Sequence, residues 1–257
     1  MIFTHIFFDL DGTLIDSSEG IHNSFVQTFE RLGLPVPSNK KIRTFMGPPL
    51  EVTFKEEIGE EGAAQAVQLY RDYYETKGQF EAHLYDGIKE VLKKLSQDPN
   101  KKIYITTSKN EPTAREMCKY LGITEFFDGI YGATPATFNK ADVLQRAITE
   151  NNANKDQSVI VGDTKYDMIG GKTVGIKTLA VTWGFGTNET LLAENPDFDF
   201  STLTGDQSNN NLLWKDGLYE AEAYYSDWNA LQTVFLNGQL LVDENLATIR
   251  ERLASNI

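Results

Sequence analysis

The stretch IFTHIFFDLDGTLIDSS, residues 2–18, decides the fold class of this chain. Residues 2–8 are apolar almost throughout and rich in isoleucine and phenylalanine, which is typical of a strand buried on both faces of a parallel sheet. Asp9, Asp11 and Gly12 follow this strand directly. A turn rich in aspartate and glycine, followed by a helical pattern from about residue 18, predicts the first β–α unit of an α/β protein.

The same alternation of strand and helix resumes after residue 84. In chain order, the patterns predict helix 88–95, strand 102–108 (KIYITTS), helix 111–123, helix 141–148, strand 158–163 (SVIVGD) and strand 178–184 (TLAVTWG). Strands separated by helices of this length predict a doubly wound parallel sheet.

Three parts of the chain differ in character. We assign residues 1–16 and 85–204 to the α/β core and residues 17–84 to an inserted small α-helical cap. Within this insertion, residues 34–84 are helical in pattern with no convincing strand. Residues 205–257 form a C-terminal extension of unknown role. It begins with a polar, Asn-rich stretch and contains a predicted hairpin around Asn237-Gly238 and a predicted helix over 246–253.

Composition excludes several classes of function. The chain has 257 residues, with 24 Lys and Arg against 37 Asp and Glu, and its formal net charge of -13 disfavours nucleic acid and anionic membrane surfaces as partners. The single cysteine and three histidines argue against a disulfide framework and a zinc site. We expect a cytoplasmic protein that is a monomer or a homodimer, with no membrane span.

Polar residues follow the predicted strands at the edge where ligands of open α/β sheets bind. Taken singly, each has an ordinary structural explanation: Asp9 and Asp11 as turn residues, Thr107 and Ser108 as strand-end residues, Lys140 as a surface residue, and Asp163 and Asp167 as loop acids. Taken together, four acids converging on one edge repel one another and need a cation to offset the repulsion. An all-oxygen ligand set predicts Mg²⁺, held by Asp9, Asp11, Asp163 and Asp167.

The order and spacing of DLDGT, a strand-end threonine, a lysine about 33 residues later and GDTKYD resemble the motifs of the haloacid dehalogenase superfamily, over roughly residues 2–204. The resemblance implies that Asp9 is a nucleophile forming an aspartyl-phosphate and that Asp11 is the general acid and base. It also implies that Thr107 and Lys140 bind the transferring phosphoryl group. Ser108, beside Thr107, is a further candidate for substrate binding, through its hydroxyl or its backbone N–H. Asp163 and Asp167 would complete the Mg²⁺ site, with the Asp9 carboxylate and the Asp11 backbone carbonyl.

The acid at position 11 favours phosphatases and phosphomutases within that superfamily. The pattern MGPPL at 46–50 resembles bacterial phosphoglycolate phosphatases and 5′-nucleotidases. We therefore expect a phosphatase acting on a small phosphorylated metabolite through an aspartyl-phosphate, similar to phosphoglycolate phosphatase. A 5′-nucleotidase, a sugar phosphomutase and, from another class, a binding module carried by the extension remain alternatives, and the particular phosphate monoester stays open.

Residues of the predicted cap and two loops are candidates for substrate contact. Arg43 is assigned to substrate binding, and Phe45 and Met46 either reach the substrate or, as we favour, pack the cap. Phe54 and Tyr85 are candidates for stacking on a base. The loop 183–186 (WGFG) resembles a family loop near the active site, and we favour a structural role for it.

Overall fold

A parallel sheet of six strands forms the centre of the part of the chain that the structure, a computed structural model, describes: residues 3–199. Its strands, in chain order, are β1 (His5–Phe8), β4 (Lys102–Asn110), β5 (Gly129–Ala133), β6 (Ser158–Gly162), β7 (Lys177–Ala180) and β8 (Phe198–Asp199). Their order in space is β5-β4-β1-β6-β7-β8, and every neighbouring pair is parallel. The prediction of a doubly wound α/β sheet is confirmed.

Helices cover both faces of this sheet. They are α5 (Ile88–Gln97), α6 (Glu111–Tyr120), α7 (Lys140–Glu150), α8 (Lys165–Val174) and α9 (Asn188–Leu192). Successive side chains of a strand point to opposite faces. Ile6 and Phe8 accordingly pack in one apolar core with Leu92 of α5, while Phe7 packs in a second core with Leu144 of α7. The near-continuous apolar run of β1 is therefore explained by burial on both faces.

Two edge strands of the sheet were not predicted from the sequence. Strand β5, with the sequence GIYGA, carries two glycines and alternates buried with half-buried positions. Strand β8 has two residues. Short strands rich in glycine lack the apolar run by which the inner strands are recognised.

The segment between β1 and α5 is helical, as predicted. It contains α1 (Ser18–Arg31), α2 (Asn39–Arg43), α3 (Leu50–Ile58) and α4 (Glu60–Thr76). These helices share an apolar cluster of their own, which includes Phe25, Phe54 and Tyr70. The helical segment therefore packs around an interior separate from the two cores of the sheet.

A small antiparallel pair stands at the base of the helical segment, where β2 (Ile15–Asp16) pairs with β3 (His83–Leu84). The prediction that residues 34–84 contain no strand is wrong at His83–Leu84. A strand of two residues is too short to show an alternating pattern. It forms because the end of the helical segment lies beside β2, which precedes that segment. The helical segment thus leaves and rejoins the sheet at one place.

The predicted hairpin at 233–242, the predicted helix at 246–253 and the rest of the extension lie outside the described residues. Within residues 3–199, none of the helices combines the length and apolar character needed to cross a bilayer.

Candidate active site

The pairing of three central strands places the motif residues at one edge of the sheet. Phe8 of β1 pairs with Ile105 of β4 on one side and with Val161 of β6 on the other. Asp9 follows Phe8, and its backbone N–H donates to the carbonyl of Val161 at 2.9 Å. Because all three strands run in the same direction, the residues just after these positions, Thr107 and Asp163 among them, reach the same carboxyl edge.

Three acids from this edge form a compact cluster. Asp9, Asp163 and Asp167 each offer a carboxylate oxygen, and these oxygens lie within 4.8 Å of one another. Asp163 and Asp167 are fully buried and Asp9 is 7% exposed. Burial raises the pKa of Asp9 to about 6, because desolvation disfavours the charged carboxylate more than the neighbouring cation favours it. Burial also raises the pKa of Asp163, and its two neighbouring acids add to this effect.

Lys140 is the cation of this cluster. Its Nζ lies 2.7 Å from Asp9 Oδ1 and 2.8 Å from Asp167 Oδ1, and it donates a hydrogen bond to the carbonyl of Thr106 at 2.9 Å. Although burial alone would lower the pKa of Lys140, the two carboxylates outweigh it and the pKa is raised. A charged ammonium is therefore held against Asp9 at the first residue of α7.

Asp163 is oriented by two loops that come from distant parts of the sequence. Its Oδ1 accepts a hydrogen bond from Thr13 Oγ1 at 2.8 Å, and its Oδ2 accepts one from the backbone N–H of Phe185 at 2.7 Å. The indole Nε1 of Trp183 donates to the carbonyl of Thr13 at 3.2 Å, which ties the two loops together. A Cβ at Gly184 would lie 2.2 Å from Asp163 Oδ2, so the close approach of this loop requires glycine. The WGFG loop thus lies at the site and supports one of its acids.

Asp167 serves the fold and the site at once. One oxygen, Oδ2, accepts hydrogen bonds from the backbone N–H and the hydroxyl of Thr164, at 3.0 Å and 2.7 Å, in a capping box at the start of α8. Its other oxygen, Oδ1, faces Lys140. The helix cap therefore fixes the direction in which the second oxygen points.

The donor set of the cluster fits a divalent cation. Asp9 Oδ1 and Asp167 Oδ1 are both buried, and each forms an ion pair with the same ammonium, that of Lys140. Three buried carboxylates against one ammonium leave an excess of negative charge in a medium of low dielectric constant. Closely spaced carboxylate oxygens are the ligands that Mg²⁺ prefers. The carboxylate of Asp11 lies outside this cluster and is engaged by Ser17 and Lys109 instead.

Comparison with known proteins decides the family. The profile of a family described as haloacid dehalogenase-like hydrolase matches residues 6–181. The chain belongs to this family. The match spans β1 to the residue after β7, and it includes every acid of the cluster and Lys140. The resemblance found in the motifs is confirmed.

Several curated proteins are similar to most of this chain. The tyrosine-protein kinase PtkA of Mycobacterium tuberculosis is 36% identical over 183 residues, which cover 70% of this chain and 62% of that protein. The 5′-nucleotidase of Pseudomonas aeruginosa is 31% identical, covering 76% of this chain and 89% of the relative. The phosphoglycolate phosphatase of Vibrio parahaemolyticus is 28% identical, covering 77% and 92%. The chain thus spans about three fifths of the length of the PtkA relative, and nearly all of the other two.

A solved structure is closer in sequence. The haloacid dehalogenase-like hydrolase family protein SP0104 from Streptococcus pneumoniae is 49% identical, with a TM-score of 0.74. The similarity covers 77% of this chain and 93% of that one. The fold of most of this chain is therefore shared with a solved hydrolase of the family.

The other predicted site residues are placed as follows. Thr107 is buried at the sheet edge, where its Oγ1 accepts a hydrogen bond from the backbone N–H of Lys109 at 3.1 Å. Ser108 is exposed beside it. Arg43 is exposed at the end of α2, and the structure gives it no contact with the acids among the described residues. Its assignment to substrate binding remains a prediction.

The aromatic candidates separate into buried and half-buried residues. Phe45 packs against Phe25 with ring centroids 5.0 Å apart, and Met46 packs against the same cluster, which agrees with the packing role that we favoured. Phe54 is fully buried in that cluster, so its proposed stacking on a base is wrong: the ring has no free face. Tyr85 is half-buried, and burial together with nearby Asp16 and Asp163 raises its pKa.

Lys109 and Tyr74 lie near the site but were missed by reasoning from the sequence. Lys109 Nζ lies 3.2 Å from Asp11 Oδ2 and donates a hydrogen bond to the hydroxyl of Tyr74 in α4. The position of Lys109, two residues after Thr107 in TTSKN, was a signal for the first contact. Nothing in the pattern around Tyr74 signals the second, because its helical spacing suggests packing alone.

Proposed function

We propose that this chain is a Mg²⁺-dependent phosphatase that hydrolyses a small phosphate monoester through an aspartyl-phosphate. One observation carries the proposal: the carboxylate of Asp9 lies 2.7 Å from the buried ammonium of Lys140, inside a cluster with Asp163 and Asp167. A buried cation beside a carboxylate suits a reaction that brings a dianionic phosphoryl group to that carboxylate.

In the first step, a carboxylate oxygen of Asp9 attacks phosphorus as the bond between phosphorus and the leaving oxygen breaks. Asp11 donates a proton to that leaving oxygen, so the product alcohol departs neutral. Lys140 offsets the negative charge gathered on the phosphoryl oxygens, and the Thr107 hydroxyl donates to one of them.

In the second step, water attacks the phosphorus of the aspartyl-phosphate. Asp11, now ionised, accepts a proton from the water, and the Asp9 carboxylate leaves as inorganic phosphate forms. The nucleophile and the proton carrier are separate carboxylates, so each returns to its starting state after one cycle.

The residues that would hold Mg²⁺ are Asp9, Asp163 and Asp167 through their carboxylates, and Asp11 through its backbone carbonyl. When bound, the ion supplies positive charge that lessens repulsion between the acids and an incoming phosphate. The hydrogen bonds from Thr13 and Phe185 support this assignment, because they orient Asp163 without using all of its lone pairs.

For the substrate, we propose a small metabolite of the phosphoglycolate type, with a 5′-nucleotide as the alternative. Support comes from the similarity to a phosphoglycolate phosphatase and to a 5′-nucleotidase. The burial of Phe54 removes one reason for favouring a nucleotide. We propose residues 17–84 as the cap that selects the leaving group, with 1–16 and 85–204 as the catalytic core, and a monomer or homodimer that needs no macromolecular partner.

One experiment tests this assignment. Purified protein is incubated with Mg²⁺ and a panel of monoesters, namely phosphoglycolate, nucleoside 5′-monophosphates and hexose phosphates, and released phosphate is measured against Asp9→Asn. Release from phosphoglycolate above the others supports the proposal. Isomerisation of a hexose phosphate with little release would favour a phosphomutase, and release equal to that of Asp9→Asn would exclude hydrolysis.

A further inference from the structure

Asp11 is held by contacts on both of its carboxylate oxygens. Ser17 Oγ donates to Oδ1 at 2.6 Å, and Lys109 Nζ lies 3.2 Å from Oδ2. Ser17 is fully buried, and the side chains of Asp11 and Lys109 are 18% and 11% exposed. A carboxylate fixed at both oxygens has little freedom to rotate, in contrast to an exposed aspartate at a turn.

Lys109 is in turn held by the helical segment. Its Nζ donates to the hydroxyl of Tyr74 and lies 4.3 Å from the centroid of that ring. Tyr74 is 7% exposed, and its hydroxyl donates to Met117 Sδ of α6, with 3.7 Å between oxygen and sulfur. Its ring stacks on that of Tyr70, with the centroids 5.8 Å apart. Packing therefore holds Tyr74 in place in α4, and its contacts fix the position of the Lys109 ammonium group.

We propose that Lys109, braced by Tyr74, is a positioning residue that aims the Asp11 carboxyl group at the leaving oxygen of the substrate. The inference rests on the proposed role of Asp11 as general acid, and it adds two residues outside the acid cluster. Lys109 belongs to β4 of the sheet and Tyr74 to α4 of the helical segment. The alignment of Asp11 therefore depends on contact between the sheet and the helical segment.

Charge and burial support a positioning role over a simple surface ion pair. Exposed pairs contribute little because water competes for both partners. Here both side chains are largely buried, and the lysine has a second, directional contact with a tyrosine that is itself packed. A proton donor that is misplaced by about 1 Å loses much of its catalytic effect.

The test compares Lys109→Met with the unmodified chain on two aryl esters, phenyl phosphate and p-nitrophenyl phosphate. The phenoxide of the first is a poor leaving group that needs a proton, whereas p-nitrophenoxide leaves readily without one. We expect kcat/KM, which reports the first phosphoryl transfer, to fall on the order of 10- to 100-fold for phenyl phosphate and less than about 3-fold for p-nitrophenyl phosphate. Tyr74→Phe should show the same selective loss, but smaller.

Two further variants separate positioning from folding. Lys102→Met removes the other paired lysine of β4, whose Nζ lies 2.7 Å from Asp128 at the opposite end of the strand, and should leave the ratio of the two kcat/KM values unchanged. Lys109→Arg should restore most of the loss on phenyl phosphate, because it retains the positive charge.

The outcomes distinguish this inference from the proposed function. Equal fold-losses of kcat/KM on both esters in Lys109→Met, or no loss on either, would overturn the positioning role while leaving the phosphatase proposal intact. If the unmodified chain hydrolyses neither ester nor any member of the substrate panel, the proposed function fails and this inference fails with it.

Discussion

Gly12 packs directly against the carboxylate of Asp163, although 151 positions separate them in the sequence. A Cβ at position 12 would lie 2.2 Å from Asp163 Oδ2, and the backbone of Gly12 has a φ of +81°, which side chains disfavour. Glycine is therefore required at position 12 for two reasons: the positive φ of the turn, and the close approach of the Asp163 carboxylate.

Replacing Gly12 with alanine should abolish most phosphatase activity, because the new methyl group would displace Asp163 from the cluster. Gly175→Ala is a matched control: its φ is +78°, but no atom lies within 4 Å of the added Cβ. Both variants should lose about 1–2 kcal/mol of unfolding free energy from backbone strain. Urea unfolding and kcat/KM measure the two effects, and a control that loses as much activity as Gly12→Ala would contradict this explanation.

Asp9→Asn should reduce kcat more than about 10³-fold, because the amide cannot attack phosphorus. The variant should remain folded, since Lys140 keeps its ion pair with Asp167. Circular dichroism and a single-turnover assay for phosphorylated protein check both expectations. A phosphorylated intermediate on the variant would exclude Asp9 as the nucleophile.

Mg²⁺ should stabilise the fold as well as support turnover, because the ion binds the assembled acids and not the unfolded chain. At a concentration 100-fold above its Kd, the expected gain is about 2.7 kcal/mol, visible as a rise in Tm. Asp163→Asn should lose this rise, whereas Asp156→Asn, an exposed acid near the amino end of β6, should retain it. A chelator should stop activity reversibly; the same Tm rise in Asp163→Asn would argue against this site.

The free energy of unfolding should depend on pH through Asp197, the residue that precedes the edge strand β8 and bonds to β7. Burial tends to raise the pKa of Asp197, but the hydrogen bonds from Lys177 Nζ at 2.6 Å and from the N–H and hydroxyl of Thr178, both at 3.0 Å, lower it overall. A lowered pKa means that this carboxylate stabilises the fold above its unfolded pKa near 3.9, and that the contribution disappears as pH falls through the lower folded value.

Asp197→Asn should therefore cost about 1 kcal/mol of unfolding free energy at pH 7 and less at pH 3. Urea unfolding of both proteins at the two pH values measures the difference. A cost that is the same at both pH values would show that packing, and not the charge of Asp197, supports β8.

Much of the sheet was predictable because the pattern of apolar residues within each inner strand and helix indicates its structure. The inner strands β1, β4 and β6 are buried on both faces and show continuous apolar runs, and α5 shows the helical spacing of Ile88, Val91 and Leu95. The edge strands β5 and β8 were not predicted, since their pairing depends on neighbours and not on their own composition. The acids and Lys140 were recognised because ligands of open α/β sheets bind at the carboxyl ends of the strands, so residues near those ends are expected at one site.

By itself, the sequence determined which residues are available at that edge: Asp9 and Asp163 each follow a buried apolar strand, and Thr107 lies near the end of another. Only the tertiary structure decided their partners. Lys140 reaches Asp9 and Asp167, Phe185 donates to Asp163, and Lys109 lies between Asp11 and Tyr74. The physical reason is that strand periodicity is a local property of the chain, whereas these contacts join residues far apart in sequence, and their distances depend on how helices and loops pack on the finished sheet.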